Sequence, residues 1–314
     1  MKYSLLNRFR GALLGSFIGE ILGRESCQNR VMKKSFLIFP PSGDIQSNPI
    51  LSDWSRLATC GAKSFIHYGR LNLDDWWLLF GKQQSSVLLK SSASPSEMAI
   101  ATLPIAVFFH DDEVKLREQL LQTADLWQPQ PHASQGALAV AYAIALALTE
   151  KLDVATFIPR TVAYLGNSDP SLVQQLERVQ ELLSQKTGLE VAMNQLRRGI
   201  QNPGEPLKRP HTTIALALYC FLSTPEDFRL CVSRAIATNQ PQAATLTGTL
   251  AGVYNSLIGI PVSWRLAANG MSSGIERLQL ADSLLEAWAG VYNIAATDQL
   301  QRLTVAAPRV IQPR

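Results

Sequence analysis

The chain has 314 residues, 46% of them hydrophobic and 17% charged, with 29 Lys and Arg set against 25 Asp and Glu. That balance excludes a disordered chain, which would carry fewer apolar residues and more net charge, and 19 Gly with 17 Pro excludes a collagen-like or low-complexity one. The formal charge of +4, with Lys2, Arg8, Arg10, Arg24, Arg30, Lys33 and Lys34 near the start against Glu20 and Glu25, makes a weakly basic corner and not a nucleic-acid arm.

Apolar residues recur with helical period along most of the chain, and the β-branched alternation of strands is missing, so the predicted fold is all-α. The first helix runs from Leu5 to Leu22, and Gly11, Gly15, Gly19 and Gly23 recur at every fourth position along it. Each glycine costs a helix about 1 kcal/mol relative to Ala, so four on one stripe imply a closely packed neighbour. Arg8 and Arg10 before an apolar stretch imitate a signal peptide, but Glu20 follows at once and no cleavage site is clear, so a cytoplasmic protein is expected. Further helices are predicted over Asp53 to Tyr68, Asp74 to Phe80, Pro95 to Phe109, Asp112 to Leu126 and His132 to Thr149. The last contains the longest apolar run, Ala137 to Leu148, which falls short of the roughly 20 residues of a membrane span and reads as a core helix.

The second half continues in the same way: Val154 to Leu165, Pro170 to Thr187, Leu189 to Ile200, His211 to Leu222, Pro225 to Ala237, Gln240 to Ile258, Pro261 to Ala267 and Met271 to Ala289. Gly248 and Gly252 repeat the four-residue spacing of the first helix, so two glycine-faced helices are predicted to pack face to face. Helix starts are marked by Asn72 before Asp74 and Asp75, Ser94 before Pro95, Ser168 and Asp169 before Pro170, and Thr224 before Pro225. Polar acceptors followed by Pro or acids satisfy the free N–H groups and positive end of a helix, so the acids at 74–75 and 111–113 read as structural. The stretches 25–52, 81–94 and 202–210 are irregular, none is a domain linker, and residues 1–314 are expected to form a single domain. Cys27, Cys60, Cys220 and Cys231 form no pair at metal or redox spacing, and His67, His110, His132 and His211 lie in no nucleophile motif.

The segment Arg10-Gly-Ala-Leu-Leu-Gly-Ser-Phe-Ile-Gly-Glu-Ile-Leu-Gly23 resembles the opening signature of the ADP-ribosylglycohydrolase family, G-A-L-L-G-x-x-x-G-D-A-L-G. Other landmarks follow in family order: His211 to Leu222 is similar to its Ala-Leu-Tyr helix, and Ala243 to Pro261 to its A-G-A-L-A-G-A-Y-Y-G-x-x-x-I-P helix. The resemblance implies a compact helical hydrolase fold. It also implies two divalent ions, usually magnesium, held by acids of a T-D-D-T motif and a G-G-D-T-D-T motif. Here the matching segments are Leu51-Ser52-Asp53-Trp54 and Ala237-Thr238-Asn239-Gln240-Pro241-Gln242, and the opening Gly-Asp is Gly19-Glu20.

Magnesium takes hard, anionic oxygen ligands in near-octahedral array, and neutral amides replace them poorly. With Asp53 and Glu20 as the remaining acids, and Ser52, Asn239 and Pro241 at degenerate positions, the dinuclear site is expected to be lost and no cofactor is expected. Glu20, Asp53, Trp54, Asn239, Gln240 and Gln242 are the candidate ligand-binding residues. Asp53 doubles as a first-turn helix acid, Trp54 either stacks on an adenine or fills the emptied metal site, and Thr238 or Asn239 is expected to cap the helix that Pro241 opens. The resemblance thus points to a pseudo-hydrolase that binds an ADP-ribose-like molecule or a protein partner. The alternatives are a hydrolase working through Glu20 and Asp53 with one metal or none, and a structural protein of the kind suggested by the family's lens-crystallin relatives.

Overall fold

The glycines at every fourth position decide the centre of the molecule. In the computed structural model, residues 3–28, 49–82, 93–126, 132–166, 169–198 and 210–291 are described, and they form fifteen helices. The first, α1 (Leu5–Gln28), lies along α13 (Pro241–Gly259) with backbone against backbone. A Cβ placed on Gly11 would fall 2.1 Å from the carbonyl oxygen of Gly252, and one on Gly15 would fall 2.2 Å from that of Gly248. Gly19 meets the Ala244 carbonyl at 2.2 Å in the same way. The face-to-face packing of two glycine-striped helices is therefore present, and it brings an early and a late helix into one core.

Between them along the chain come α2 (Asp53–Tyr68), α3 (Leu73–Gly81), α4 (Pro95–Ala101), α5 (Leu103–Phe108), α6 (Glu113–Leu126) and α7 (Ala133–Leu148). Then follow α8 (Val154–Leu165), α9 (Pro170–Ser184), α10 (Leu189–Arg198), α11 (Thr212–Leu222) and α12 (Phe228–Ala237). After α13 the chain ends its described part with α14 (Val262–Asn269) and α15 (Ser272–Trp288). Every residue of α7 from Gly136 to Leu148 is buried, as expected of a helix apolar on all faces. Trp76 and Trp264 are the largest fully buried side chains; the Trp76 indole N–H donates to the Leu57 carbonyl at 2.8 Å.

Several predicted helices differ from the observed ones, four of them for a clear local reason. The first helix does not stop at Leu22 but continues to Gln28, because Gly23 still packs against Pro241 and Ala244 and the Ser26 and Cys27 side chains donate to the Ile236 and Asn239 carbonyls. The helix predicted over Pro95 to Phe109 breaks at Thr102, where Pro104 enters the first turn of α5 without an N–H. The α12 helix begins at Phe228 and not at Pro225, since Asp227 and not Thr224 accepts from a first-turn N–H, that of Leu230. Finally, α13 is kinked at buried Ser256, whose φ of 60° and ψ of 179° lie in a region that glycine ordinarily occupies, at a cost of about 1 to 3 kcal/mol.

Expected caps at Asn72, Ser94 and Asp169 are in place, with a full capping box between Ser94 and Glu97, and Ser52 caps α2 as well. Asp112 accepts from the N–H groups of Val114 and Lys115, so the acids before α6 serve a helix start as expected. Ser168 lies outside the described residues. No described helix is long and apolar enough to cross a membrane.

Candidate functional site

Position on α1 is what gathers the two motif segments. Glu20 is 3% exposed, and its Oε1 accepts the backbone N–H of Ser52 at 2.6 Å, which fixes the start of α2 against α1. One turn further along α1, Gly23 leaves room for Pro241, whose Cα would lie 3.0 Å from a Cβ at that position. The first segment and the second therefore border neighbouring turns of the same helix, at the end of the glycine seam.

The first segment is engaged mainly in building α2. Ser52 is its N-cap, the hydroxyl accepting from the Ser55 N–H at 3.3 Å. Asp53 stands in the first turn, its half-exposed carboxylate paired with Arg56 one turn on at 3.2 Å. Trp54 is half-buried against the hydrophobic core. In the second segment, the Thr238 hydroxyl donates to the Ala235 carbonyl at 2.6 Å, and exposed Asn239 turns through the left-handed region at φ 53°. Neither caps α13, contrary to expectation. The N-cap position is taken by Gln240, whose side chain instead accepts from the Thr213 hydroxyl of α11 at 2.6 Å, while Gln242 is half-buried in the first turn.

Beside Glu20 lies a cavity of about 10 Å³, room for roughly one water, to which three helices contribute polar groups. Ser16 and Glu20 come from one face of α1, Ser55 from α2, and Arg277 from α15, against an apolar wall that includes Ile100, Leu103 and Pro104. Arg277 is 7% exposed. Its guanidinium donates to the Thr59 hydroxyl, which in turn donates to the Ser55 carbonyl at 2.8 Å. Burial pulls the Arg277 guanidinium below its ordinary pKa, and the negative charge of Glu20 is the largest influence raising it. Trp54 does not line this cavity.

Sequence reasoning missed Arg277, although a signal was present. Gly274, Arg277, Ala281 and Leu284 fall at helical spacing, and all are buried, so a charged residue stands in an apolar stripe. A second missed group joins α7, α9 and α11. Buried His211 and half-exposed His132 share the Asp169 carboxylate at 3.0 and 3.2 Å, and burial lowers the pKa of His211 against the raising influence of Asp169. His110 is also buried, packing edge-on against Phe9, while His67 is exposed beside Tyr68. The buried thiols of Cys60, Cys220 and Cys231 are pushed up to about 11, about 12 and about 12, and so carry no thiolate at neutral pH.

Among the described residues the donor set does not fit two magnesium ions. Among the described residues no three His, Cys, Asp or Glu side chains converge as a metal group. The buried carboxylate, Glu20, pairs with Arg24 at 3.9 Å and shares its cavity with the Arg277 guanidinium, and Asp53 pairs with Arg56.

The molecule is an all-α scaffold organised on a glycine seam, with two helix-start segments meeting at its end. The chain belongs to the ADP-ribosylglycohydrolase family, whose profile matches residues 1–293. A solved structure described as an ADP-ribosylglycohydrolase-related protein complex is similar at a TM-score of 0.67 and 17% identity, covering 92% of this chain and 100% of that one. At that identity the likeness speaks for the fold alone. No curated protein matches the chain.

Proposed function

We propose that the chain is a non-catalytic member of its family, a binding or regulatory protein of the cytoplasm that keeps affinity for an ADP-ribose-like nucleotide. The observation that carries this reading is the charge around the motif segments: Asp53 paired with Arg56, Glu20 paired with Arg24 in a cavity that Arg277 also lines, and an exposed amide and a proline where the second pair of acids would stand. A two-metal clamp on an attacking water needs several anionic ligands on each ion, and among the described residues this arrangement offers none to a second ion.

Affinity for a nucleotide is supported by helix starts. The first turns of α7, α11 and α13 have no side-chain cap, and they are neighbours through the rings of His132 and His211 and through the Thr213–Gln240 hydrogen bond. Free N–H groups at such starts favour phosphate oxygens. Thermal melting with ADP-ribose, AMP and NAD, each with and without magnesium, tests this. Stabilisation by ADP-ribose that is indifferent to magnesium is expected, together with no release of ADP-ribose from modified arginine. Turnover that a chelator abolishes overturns the non-catalytic reading. A flat series overturns nucleotide affinity and leaves a protein partner, for which exposed Val262 and Leu266 on one face of α14 offer apolar contact.

A further inference from the structure

We propose that anion binding at the starts of α7 and α11 is proton-linked, with His132 taking up a proton as a phosphate-like group arrives. The inference rests on the nucleotide-affinity reading of those helix starts and adds the charge that governs it.

The starts of α7, α9 and α11 share one carboxylate. Asp169, whose side chain is 9% exposed, caps α9 through Oδ1, which accepts the Ser171 N–H at 3.1 Å. Its Oδ2 accepts from His211 Nε2 at 3.0 Å and from His132 Nδ1 at 3.2 Å, and its own N–H donates to the Gln135 side chain of α7. The two imidazoles stand at the N-cap positions of α7 and α11, and neither caps its own helix. His211 is fully buried, and its Nδ1 has no partner among the described residues. That atom faces the first turn of α7, 3.0 Å from where a Cβ on Gly136 would stand. The buried hydroxyl of Thr212, next along α11, is likewise unpartnered. Free N–H groups and orphaned polar atoms thus come together at a place that favours anions, with one fixed negative charge beside it.

Few groups can balance that charge. Besides Asp169 and the two imidazoles, the first turns of α7, α9, α11 and α13 contain no acid or base. Helix α4 reaches the same turn of α7 with Pro95, and its Glu97 is committed to the Ser94 capping box. His211 is the poorer proton acceptor, because burial opposes its charged form. His132 is half-exposed, and with its Nδ1–H on Asp169 its Nε2 is the ring nitrogen left to take a proton from solvent. Protonation there keeps the hydrogen bond, makes it an ion pair and cancels the Asp169 charge that an arriving anion would meet. Anion and proton therefore favour each other, and by linkage each raises affinity for the other by the same factor.

The test is calorimetric titration of the full chain with ADP-ribose at about pH 6 and about pH 8, in two buffers of different ionisation enthalpy, together with an NMR titration with sulfate against sodium chloride at equal ionic strength. Both anions keep a constant charge over this range. One linked proton changes affinity by at most about tenfold per pH unit, so each anion is expected to bind about tenfold tighter at the lower pH, and ADP-ribose to bring in up to about one proton. His132→Asn keeps an N–H near Asp169 and cannot be charged; it should bind at both pH values with the weaker affinity of wild type and take up no proton. Equal affinity at the two pH values, tightening that survives in His132→Asn, or no response to either anion overturns the proposal. Sulfate that binds tighter at the lower pH while ADP-ribose does not bind overturns the nucleotide reading alone. ADP-ribose bound equally at both overturns the linkage alone, so the two failures are distinguished.

Discussion

The glycine seam and the motif segments lie within a few turns of each other along α1, yet they constrain the sequence in opposite ways. On the seam, the Gly11 and Gly15 backbones touch the carbonyls of Gly252 and Gly248, and there is no space for a side chain. At the segments, Ser52, Asp53, Asn239 and Pro241 occupy helix starts or the turn before one, where many residue types satisfy a backbone. Close backbone packing admits no substitute, whereas a polar helix start admits many. A family scaffold can therefore persist along its seam while the ligands at the seam's end are exchanged.

The largest expected effect breaks the seam. Gly15→Leu places a Cβ 2.2 Å from the Gly248 oxygen and 3.2 Å from the Phe228 ring, so the helices must separate along the centre of the core. We expect a loss above about 4 kcal/mol in chemical denaturation, or no soluble folded protein. At Gly81, the end of α3, a Cβ would meet no described atom within 4 Å, and Gly81→Ala should change stability by less than about 1 kcal/mol. Comparable losses at the two positions would dissolve the distinction between seam and periphery.

A smaller effect probes the helix starts around the second segment. Buried His211 sits at the N-cap position of α11, its Nε2 donating to Asp169 with His132 on the same carboxylate. Burial lowers its folded pKa below the ordinary 6.5, although Asp169 opposes the shift. Between the lowered folded value and 6.5 the unfolded chain binds more protons than the folded one, so stability is full above pH 6.5 and declines as pH falls through that window. One proton gives a slope of at most about 1.4 kcal/mol per pH unit. Denaturation curves between about pH 7 and pH 5 should show this slope in wild type and a flatter one in His211→Asn, and parallel slopes would remove His211 from the account.

The seam was legible because glycine spacing is a backbone property, and Gly11 to Gly23 with Gly248 and Gly252 stated both partners of the contact. Helix caps were legible for the same reason at Asn72, Ser94 and Asp169, where a short side chain meets its own first turn. Arg277 was not, because its setting depends on its bond to Thr59 and on the cavity it shares with Glu20, both distant in sequence and brought near only through the docking of α15. Thr238 and Asn239 misled because three polar residues, Thr238 to Gln240, precede Pro241 and offer several capping registers. The choice of Gln240 was made by the Thr238 back-bond to Ala235 and the left-handed turn at Asn239.

The smallest effect concerns the acid that the family resemblance singles out. Asp53 is a first-turn residue whose carboxylate is half-exposed and paired with Arg56 at 3.2 Å. A surface ion pair and a favourable position at the helix start together amount to no more than about 1 kcal/mol. Asp53→Asn keeps the shape of the side chain and a polar oxygen near the positive end of α2, so we expect a loss of a few tenths of a kcal/mol. Any melting shift produced by ADP-ribose should be the same in this variant as in wild type. A loss of ligand response with the fold intact would place Asp53 in a working site and set the motif segments beside the seam as constrained positions, whereas equal response in both proteins leaves the carboxylate with its helix.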